Sequence, residues 1–459
     1  MTSAISPLVD LSQPTRIHVV GVGGAGMSAI AAVLAAMGHV VTGSDIKLSR
    51  SLERLRARGV EISIGHRPEN VAGAKILTYS TAVPERNVEI QEAHRLAIPV
   101  LPRASVLAAI AALRRTIAIA GTHGKTTTSS MLALVLVEAG LHPSFIIGGE
   151  VNEIGTNASW DSGELLVVEA DESDGTFLHL APEIGIVTSI EPDHIEHYGS
   201  FETLKQAFAA FFAQSGQAIV CADDPVASSL APANALTYGT SPASRVRIEG
   251  FESGRNNLRF ELFDATESLG MFDLPVPGLH NARNAAGAVA CCLALGLGTE
   301  HARRALARFA GVARRFEFRG EFGGVTFVDD YAHLPGEVKV ALGAARGGNF
   351  ERIVCVFQPH RYSRVATLAP QFADAFEGAD VVAVTEVYAA GEQPRPGVSS
   401  KLVLDAIVSK HPGARAVYVR SHEDLVTYLR TILRPGDLCL TLAAGDLTNL
   451  AAELGGGRP

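Results

Sequence analysis

The sequence predicts an α/β protein of three domains, and three observations carry that expectation. Near the start a β-branched strand runs into a glycine turn and an Ala-rich helix, and the same order returns further along the chain. A third start comes near Gly311, where strand-like and helical runs again alternate. The chain has 459 residues, and at about 150 residues per domain that suits three. The expected bounds are 1–112, 113–311 and 312–459. The outer two read as Rossmann-like and the central one as a phosphate-loop ATPase fold, because strands alternating with helices build parallel sheets.

The elements follow in order. Arg16 to Val20 is a short strand, Gly21 to Gly26 the turn, and Met27 to Met37 an apolar helix. His39 to Thr42, Lys75 to Tyr79 and Pro99 to Leu101 are further strands, and Ser105 to Leu113 is helical. In the second segment, Arg115 to Ala120 leads into Gly121 to Thr128, and Ser129 to Gly140 reads as helix with Gly140 as its stop. Leu165 to Val168, Ile184 to Ile190 and Ala218 to Cys221 are buried-type strands. Leu258 to Leu262 alternates, as a half-exposed antiparallel strand does. Asn281 to Leu295 is an Ala-rich helix suited to full burial. In the third segment the strands are Thr326 to Val328, Arg352 to Phe357, Val381 to Thr385, Ala416 to Val419 and Leu438 to Leu442.

Composition excludes several classes. The chain is 47% hydrophobic and 19% charged, enough for a sizeable core. A net charge of -9 lacks the basic footprint of a nucleic-acid binder. No apolar run reaches about 18 residues, so no membrane span and no stable membrane insertion are expected. Met1 to Thr15 carries no pattern of a secretory signal. The five cysteines form no CxxC pair, which points away from a disulfide framework or thiolate zinc and toward a reducing cytoplasm.

The chemistry-bearing residues sit where strands end. Gly21-x-Gly23-x-x-Gly26 lets backbone approach a diphosphate at a helix N-terminus, and Asp45 closes the next strand where a ribose-binding acid would lie. A nicotinamide site and a plain tight turn remain alternatives. Gly121-Thr122-His123-Gly124-Lys125-Thr126-Thr127 is more specific, although shorter than the common phosphate loop. Its N–H groups would cradle phosphates, Lys125 would meet the β- and γ-phosphates, and the Thr126 hydroxyl would hold Mg²⁺. Glu169 to Asp174 follows an apolar strand and is placed to receive magnesium, or is a solvated acidic loop. His194 comes to the same rim, as a metal ligand or a structural histidine. His280, Asn281 and Asn284 open a helix, where the amides face a nucleobase or cap the helix. Arg314 and Arg315 lie in a joint, as phosphate contacts or surface charges. Asp329 to His333 and Gln358 to Arg364 follow successive strands, and Arg361 and Arg364, spaced i,i+3, suit one carboxylate.

Taken together, the stretches GVGGAGMSAIA, GTHGKTTT, VVEADESDGTFLHL, IEPDHIEHY, GLHNARNAAGA, GVARRFEFRG, DDYAHLP and QPHRYSR resemble the Mur ligases, ATP-dependent amide-forming enzymes of peptidoglycan precursor synthesis. The resemblance runs in family order from Gly21 to Arg364. It implies a first domain that binds UDP-N-acetylmuramate through Gly21, Gly23, Gly24, Ala25, Gly26, Met27, Ser44, Asp45, His66, Ser80 and Thr81. It implies ATP at Gly121 to Thr127, His280, Asn281, Asn284, Arg315 and Asp330, and metal at Thr126, Glu169 and His194. L-Alanine would lie among Tyr331, His333, His360, Arg361 and Arg364, with Lys125, His194, His333, His360 and Arg361 catalytic. Leu334 stands where many relatives have a second histidine. The implied reaction makes an acyl phosphate from the muramate carboxylate and ATP, which the amine of alanine then attacks. The implied setting is a cytoplasmic monomer or homodimer serving cell-wall growth, cell shape and division. A peptide-accepting ligase on the same nucleotide sugar is the nearest alternative. A nicotinamide oxidoreductase leaves Gly121 to Thr127 unexplained, and a regulatory ATP module leaves the strand-end histidines and arginines unexplained.

Overall fold

The structure, a computed structural model, describes residues 9–80 and 82–455. Three sheets organise it. The first has strands β1 (Arg16–Val20), β2 (Val40–Asp45), β3 (Glu61–Ile64), β4 (Ile76–Tyr79) and β5 (Val100–Pro102) in the order β3-β2-β1-β4-β5, all parallel. This is the doubly wound Rossmann order without its sixth strand, with a crevice at the strands' C-terminal ends where the order reverses, between β1 and β4.

The second sheet holds β6 (Arg115–Ala120), β7 (Ser144–Val151), β8 (Thr156–Ser159), β9 (Leu165–Glu169), β10 (Ile184–Val187), β11 (Gln217–Cys221), β12 (Leu236–Gly239), β13 (Val246–Ser253), β14 (Leu258–Asp264) and β15 (Glu267–Leu274). Their order is β15-β14-β13-β12-β11-β10-β6-β9-β7-β8. β6 lies between β9 and β10, parallel to both, and Thr116 to Ala120 is wholly buried. A strand covered on both faces needs such a continuous apolar run. β14 alternates buried and less buried residues at its start, as its pattern predicts.

The third sheet has β16 (Glu317–Phe322), β17 (Val325–Asp330), β18 (Arg352–Gln358), β19 (Val381–Val384), β20 (Ala416–Tyr418) and β21 (Asp437–Ala443), in the order β16-β17-β21-β18-β19-β20. β17 to β20 and β21 run parallel; only β16 is antiparallel. The sequence reading has no strand at β16, because this edge strand is mostly exposed and lacks an apolar alternation. The phosphate-loop helix, Lys125–Glu138, starts four residues ahead of the expected Ser129. Its Thr-rich first turn is weak in helix propensity but buried, and packing decides.

The described residues pack as two compact units: those up to 249, with 261–272 and 283–309, form one, and 250–260, 273–282 and those from 310 onward the other. Within the first unit, one continuous core joins the first sheet to β6, β9 and β10, with Val19, Ile30, Ala118, Val168 and Val187 all buried. Arg54 reaches Glu150 at 2.6 Å and Arg58 reaches Thr156 at 3.1 Å across the same seam. In the second unit, helices Pro335–Arg346 and Lys401–Lys410 cover one face of the sheet and His422–Ile432 the other. Among the described residues no helix is long and apolar enough to cross a membrane.

Candidate active site

In the first unit the glycine turn is built by backbone bonds. Gly21 and Val22 N–H groups donate to Ser44 O at 2.9 and 3.1 Å. Gly21 lies at φ +73°, pressed against Ser80 and Val83. Asp45 spends its carboxylate on this turn: Oδ2 accepts from Gly23 N at 2.8 Å and Oδ1 from Ile46 N at 2.8 Å. The helix Ala25–Ala36 has Gly24 as its N-cap with no side-chain cap, so its first N–H groups are left for an anion. Met27 and Ser44 are buried and support the turn from below; Ser80 is half-buried beside it. Thr81 lies outside the described residues. Arg103, which the sequence reading does not single out, lays its guanidinium over Gly26, and its Nε is buried with no hydrogen-bond partner among the described residues.

The phosphate loop sits at the C-terminal end of β6. Gly121 has φ +129° and Gly124 has φ +79°, both favouring glycine. The exit of β10 clasps the loop. Thr122 N donates to Ser189 O at 2.8 Å, His123 N to Ser189 Oγ at 3.0 Å, and Glu191 N to Thr122 Oγ1 at 2.9 Å. Thr188 donates its hydroxyl to His123 O. A Cβ on Gly121 would fall 2.2 Å from Thr188 Oγ1. Gly121→Ala is therefore expected to cost about 1–3 kcal/mol and to abolish nucleotide binding, measured by urea unfolding and by titration with ADP.

Lys125 Nζ donates to Gly121 O at 2.6 Å and pairs with Glu172 at 2.8 Å. Burial works against its charge, but Glu172, Asp171 and Glu169 outweigh it and raise the lysine pKa. Burial likewise raises Glu172, with Lys125 opposing. Thr126 Oγ1 donates to Glu169 Oε1 at 2.9 Å, and Gly148 N donates to Glu169 Oε2 at 2.6 Å. Thr126 and Glu169 thus offer adjacent oxygen donors of the kind Mg²⁺ prefers. His194, at φ +53°, has its Nε2 3.1 Å from Asp193 Oδ2, and His123 Nε2 lies 3.2 Å from Glu191. Among the described residues no three His, Cys, Asp or Glu side chains form a ready-made metal cluster. Asn284 lies against the loop: Thr128 Oγ1 is 3.3 Å from its Oδ1, and a Cβ on Gly124 would meet that oxygen at 2.5 Å.

The second unit carries the other cluster. His280 follows Gly278, which turns at φ +96°, and Asn281 Nδ2 donates to Pro277 O at 2.8 Å. Arg314 and Arg315 flank the Tyr331 ring at 4.9 and 5.3 Å. Asp330 is turned inward: Phe316 N and Ala332 N both donate to it at 2.7 Å. Burial lifts it to about 6 against the pull of Arg315. His333 stands edge-on to Tyr331 and to His360, with centroids 5.4 and 5.2 Å apart. Its Nδ1 lies 2.9 Å from Tyr331 O. Arg364 NH1 is 2.8 Å from His360 Nδ1, and the His360 ring stacks on Tyr388 at 5.8 Å. Arg361 is held at φ +67° while its N–H donates to Tyr388 O at 2.8 Å. Such strain in a non-glycine residue gathers at functional sites. Leu334 fills the core under this rim, 4% exposed, so an imidazole there has no counterpart in this chain.

Asp329, one residue before Asp330, is buried and neither oxygen has a hydrogen-bond partner among the described residues; Arg314 Nε is 3.9 Å away. Burial pushes it to about 6, with Arg314 opposing. A carboxyl raised in the folded state binds its proton more tightly there than in the unfolded chain. Stability is then full below about pH 4 and falls as pH rises to about 6. Asp329→Asn is expected to raise stability by up to about 3 kcal/mol above pH 6 and to change little below pH 4, read from urea midpoints across pH.

Family sequence models match nearly the whole of this arrangement. Residues 16–115 match the Mur ligase family catalytic domain, 119–292 the Mur ligase middle domain and 314–445 the Mur ligase glutamate ligase domain. The chain belongs to the Mur ligase family. A relative from Anaeromyxobacter sp. (strain Fw109-5), named UDP-N-acetylmuramate-L-alanine ligase, is 46% identical over 96% of this chain and 98% of its own. A Rubrobacter xylanophilus protein of the same name is 46% identical, covering 96% and 99%. A crystal structure of UDP-N-acetylmuramate-alanine ligase from Thermotoga maritima superposes with a TM-score of 0.80 at 29% identity, covering 96% and 98%. A murein peptide ligase structure from Psychrobacter arcticus shares the fold, with a TM-score of 0.70 at 22% identity, covering 96% and 98%.

In this Mur ligase several partners escape sequence reasoning. Glu172 sits in the noticed acidic run, but nothing in the run says which acid meets Lys125. Gly148, Tyr388 and Glu392 lie on stretches without a motif. Glu392 nevertheless holds Ser363, whose N–H donates at 2.9 Å and hydroxyl at 2.5 Å.

Proposed function

We propose that this Mur ligase joins L-alanine to UDP-N-acetylmuramate with ATP, giving UDP-N-acetylmuramoyl-L-alanine, ADP and phosphate. The observation that carries this reading is the phosphate loop with Lys125 and Thr126 beside Glu169 and Glu172. The names and near-complete coverage of the relatives support alanine as the acceptor.

A carboxylate is a poor electrophile, and its meeting with ATP brings two anions together. Catalysis is then largely charge neutralisation and positioning. The muramate carboxylate attacks the γ-phosphorus, ADP leaves, and the acyl phosphate forms. Lys125 meets the transferred phosphoryl group, and the loop N–H groups hold the phosphates. Thr126 and Glu169 would hold Mg²⁺ and His194 would be a ligand to a second ion; bound metal would screen phosphate charge. The neutral amine of alanine then attacks the acyl carbon, and phosphate leaves. Arg361 and Arg364 hold the alanine carboxylate, and His333 or His360 takes the amine proton. The glycine turn, with Ser80 and His66 beside it, holds the uridine diphosphate. His280, Asn281 and Asn284 serve the adenine side, and Arg315 a phosphate. The proposed domains are 1–112, 113–311 and 312–459, working in the cytoplasm as a monomer or homodimer.

Phosphate release with UDP-N-acetylmuramate, ATP and Mg²⁺ tests this across L-alanine, L-serine, glycine and a tripeptide. L-Alanine is expected to give the highest kcat/KM. Preference for the tripeptide would overturn the reading in favour of the peptide ligase.

A further inference from the structure

In the first unit, below the glycine turn, lies a buried carboxylate that the proposed chemistry does not use. Glu89 is fully buried at the start of the helix Val88–Arg95. Five groups converge on it. Ser44 Oγ donates to Oε2 at 2.5 Å, and His66 Nδ1 lies 3.0 Å from the same oxygen. Asn70 Nδ2 donates to Oε1 at 2.5 Å and Arg67 N at 3.2 Å. His18 Nε2 stands 3.7 Å from Oε2, while its Nδ1 is 2.7 Å from Thr42 Oγ1. Burial pushes Glu89 up, but nearby His18 and the bonds from Ser44 and Asn70 outweigh it and bring it down to about 2.

An ionised carboxylate only accepts hydrogen bonds. The proton on the His66 ring must therefore sit on Nδ1, facing Glu89. His66 Nε2 has no hydrogen-bond partner among the described residues, and the side chain is 19% exposed where His18, Ser44 and Glu89 are buried. Ser44, tied to the same carboxylate, accepts through its carbonyl the Gly21 and Val22 N–H groups. One buried charge thus links the half-buried imidazole to the backbone of the glycine turn.

We propose that Glu89 is a positioning residue for the nucleotide of UDP-N-acetylmuramate, fixing the tautomer of His66 and anchoring Ser44 beneath the glycine turn. This rests on the reading that the first domain takes the uridine diphosphate. A neutral amide at Glu89 offers His66 an N–H in place of one acceptor oxygen, so the imidazole proton moves to Nε2 and its ligand-facing nitrogen changes character.

The test uses UDP as probe with the full chain, by calorimetry, beside ligation kinetics. Glu89→Gln is expected to weaken UDP binding about tenfold or more and to raise the UDP-N-acetylmuramate KM alike. The kcat and the KM for ATP and L-alanine should stay within about twofold, a split that a general loss of structure would not give. Unchanged UDP binding in that variant, with His66→Ala weakened, overturns the role of Glu89 and leaves the uridine diphosphate reading intact. UDP binding that is absent from the wild type, or unmoved by His66→Ala, overturns both. A ¹⁵N–¹H spectrum of the wild-type histidines at alkaline pH gives a readout that needs no variant. The Nδ1–H tautomer is expected at His66, and an Nε2–H signal overturns the proposal.

Discussion

Replacing Lys125 with alanine is expected to lower kcat at least about a thousandfold, because it removes the cation that meets the phosphoryl group as negative charge moves. The structure adds a second consequence. Lys125 is also the partner of buried Glu172, at 2.8 Å. Its loss leaves that carboxylate uncompensated in a site that already raises its pKa through burial. Breaking such a pair from one side costs about 3–5 kcal/mol, less whatever the carboxyl recovers by taking up a proton. The double variant Lys125→Ala, Glu172→Gln separates the two effects. Its melting temperature should recover toward wild type while ligation stays lost. Near-normal ligation by Lys125→Ala would remove the phosphate loop from the chemistry.

Arg361→Ala is expected to raise the L-alanine KM about thirtyfold or more with the ATP KM unchanged. Arg364 already has a partner in His360, at 2.8 Å. Arg361 differs: its Nε is buried without a hydrogen-bond partner among the described residues, on a backbone held at φ +67°. Burying an unpaired guanidinium nitrogen is costly unless a ligand completes it, and a carboxylate matches its fork. Alanine keeps a Cβ at φ +67° and so carries the same backbone strain, and unchanged stability with a raised KM is the expected signature. An unchanged alanine KM would take Arg361 out of the acceptor site.

Much of the fold is legible in the sequence because its strands are buried on both faces. Runs such as Thr116 to Ala120 and Ile353 to Phe357 have no polar alternation to hide them. The exposed edge strand Glu317–Phe322 has no such run and is invisible beforehand. The same division holds at the site. Gly121, Gly124 and Lys125 announce themselves because a phosphate loop needs left-handed glycines and a lysine at one spacing. Glu89, Arg103 and Tyr388 belong to no such local pattern, and each matters only through residues distant in the chain; Glu172 lies in a visible acidic run, but its pairing with Lys125 does not show there.

The alternation of strands and helices along the chain, the glycine turns and the identity of the charged groups at the strand ends were therefore set by the sequence alone, since each depends on neighbours within a few residues. Which carboxylate meets Lys125, which nitrogen of His66 faces Glu89, and that Asp45 and Asp330 bind backbone N–H groups were decided only by the packed structure. Hydrogen bonds and ion pairs depend on distance in space, and only the folded chain brings residues 18, 44, 66 and 70 to the carboxylate of Glu89.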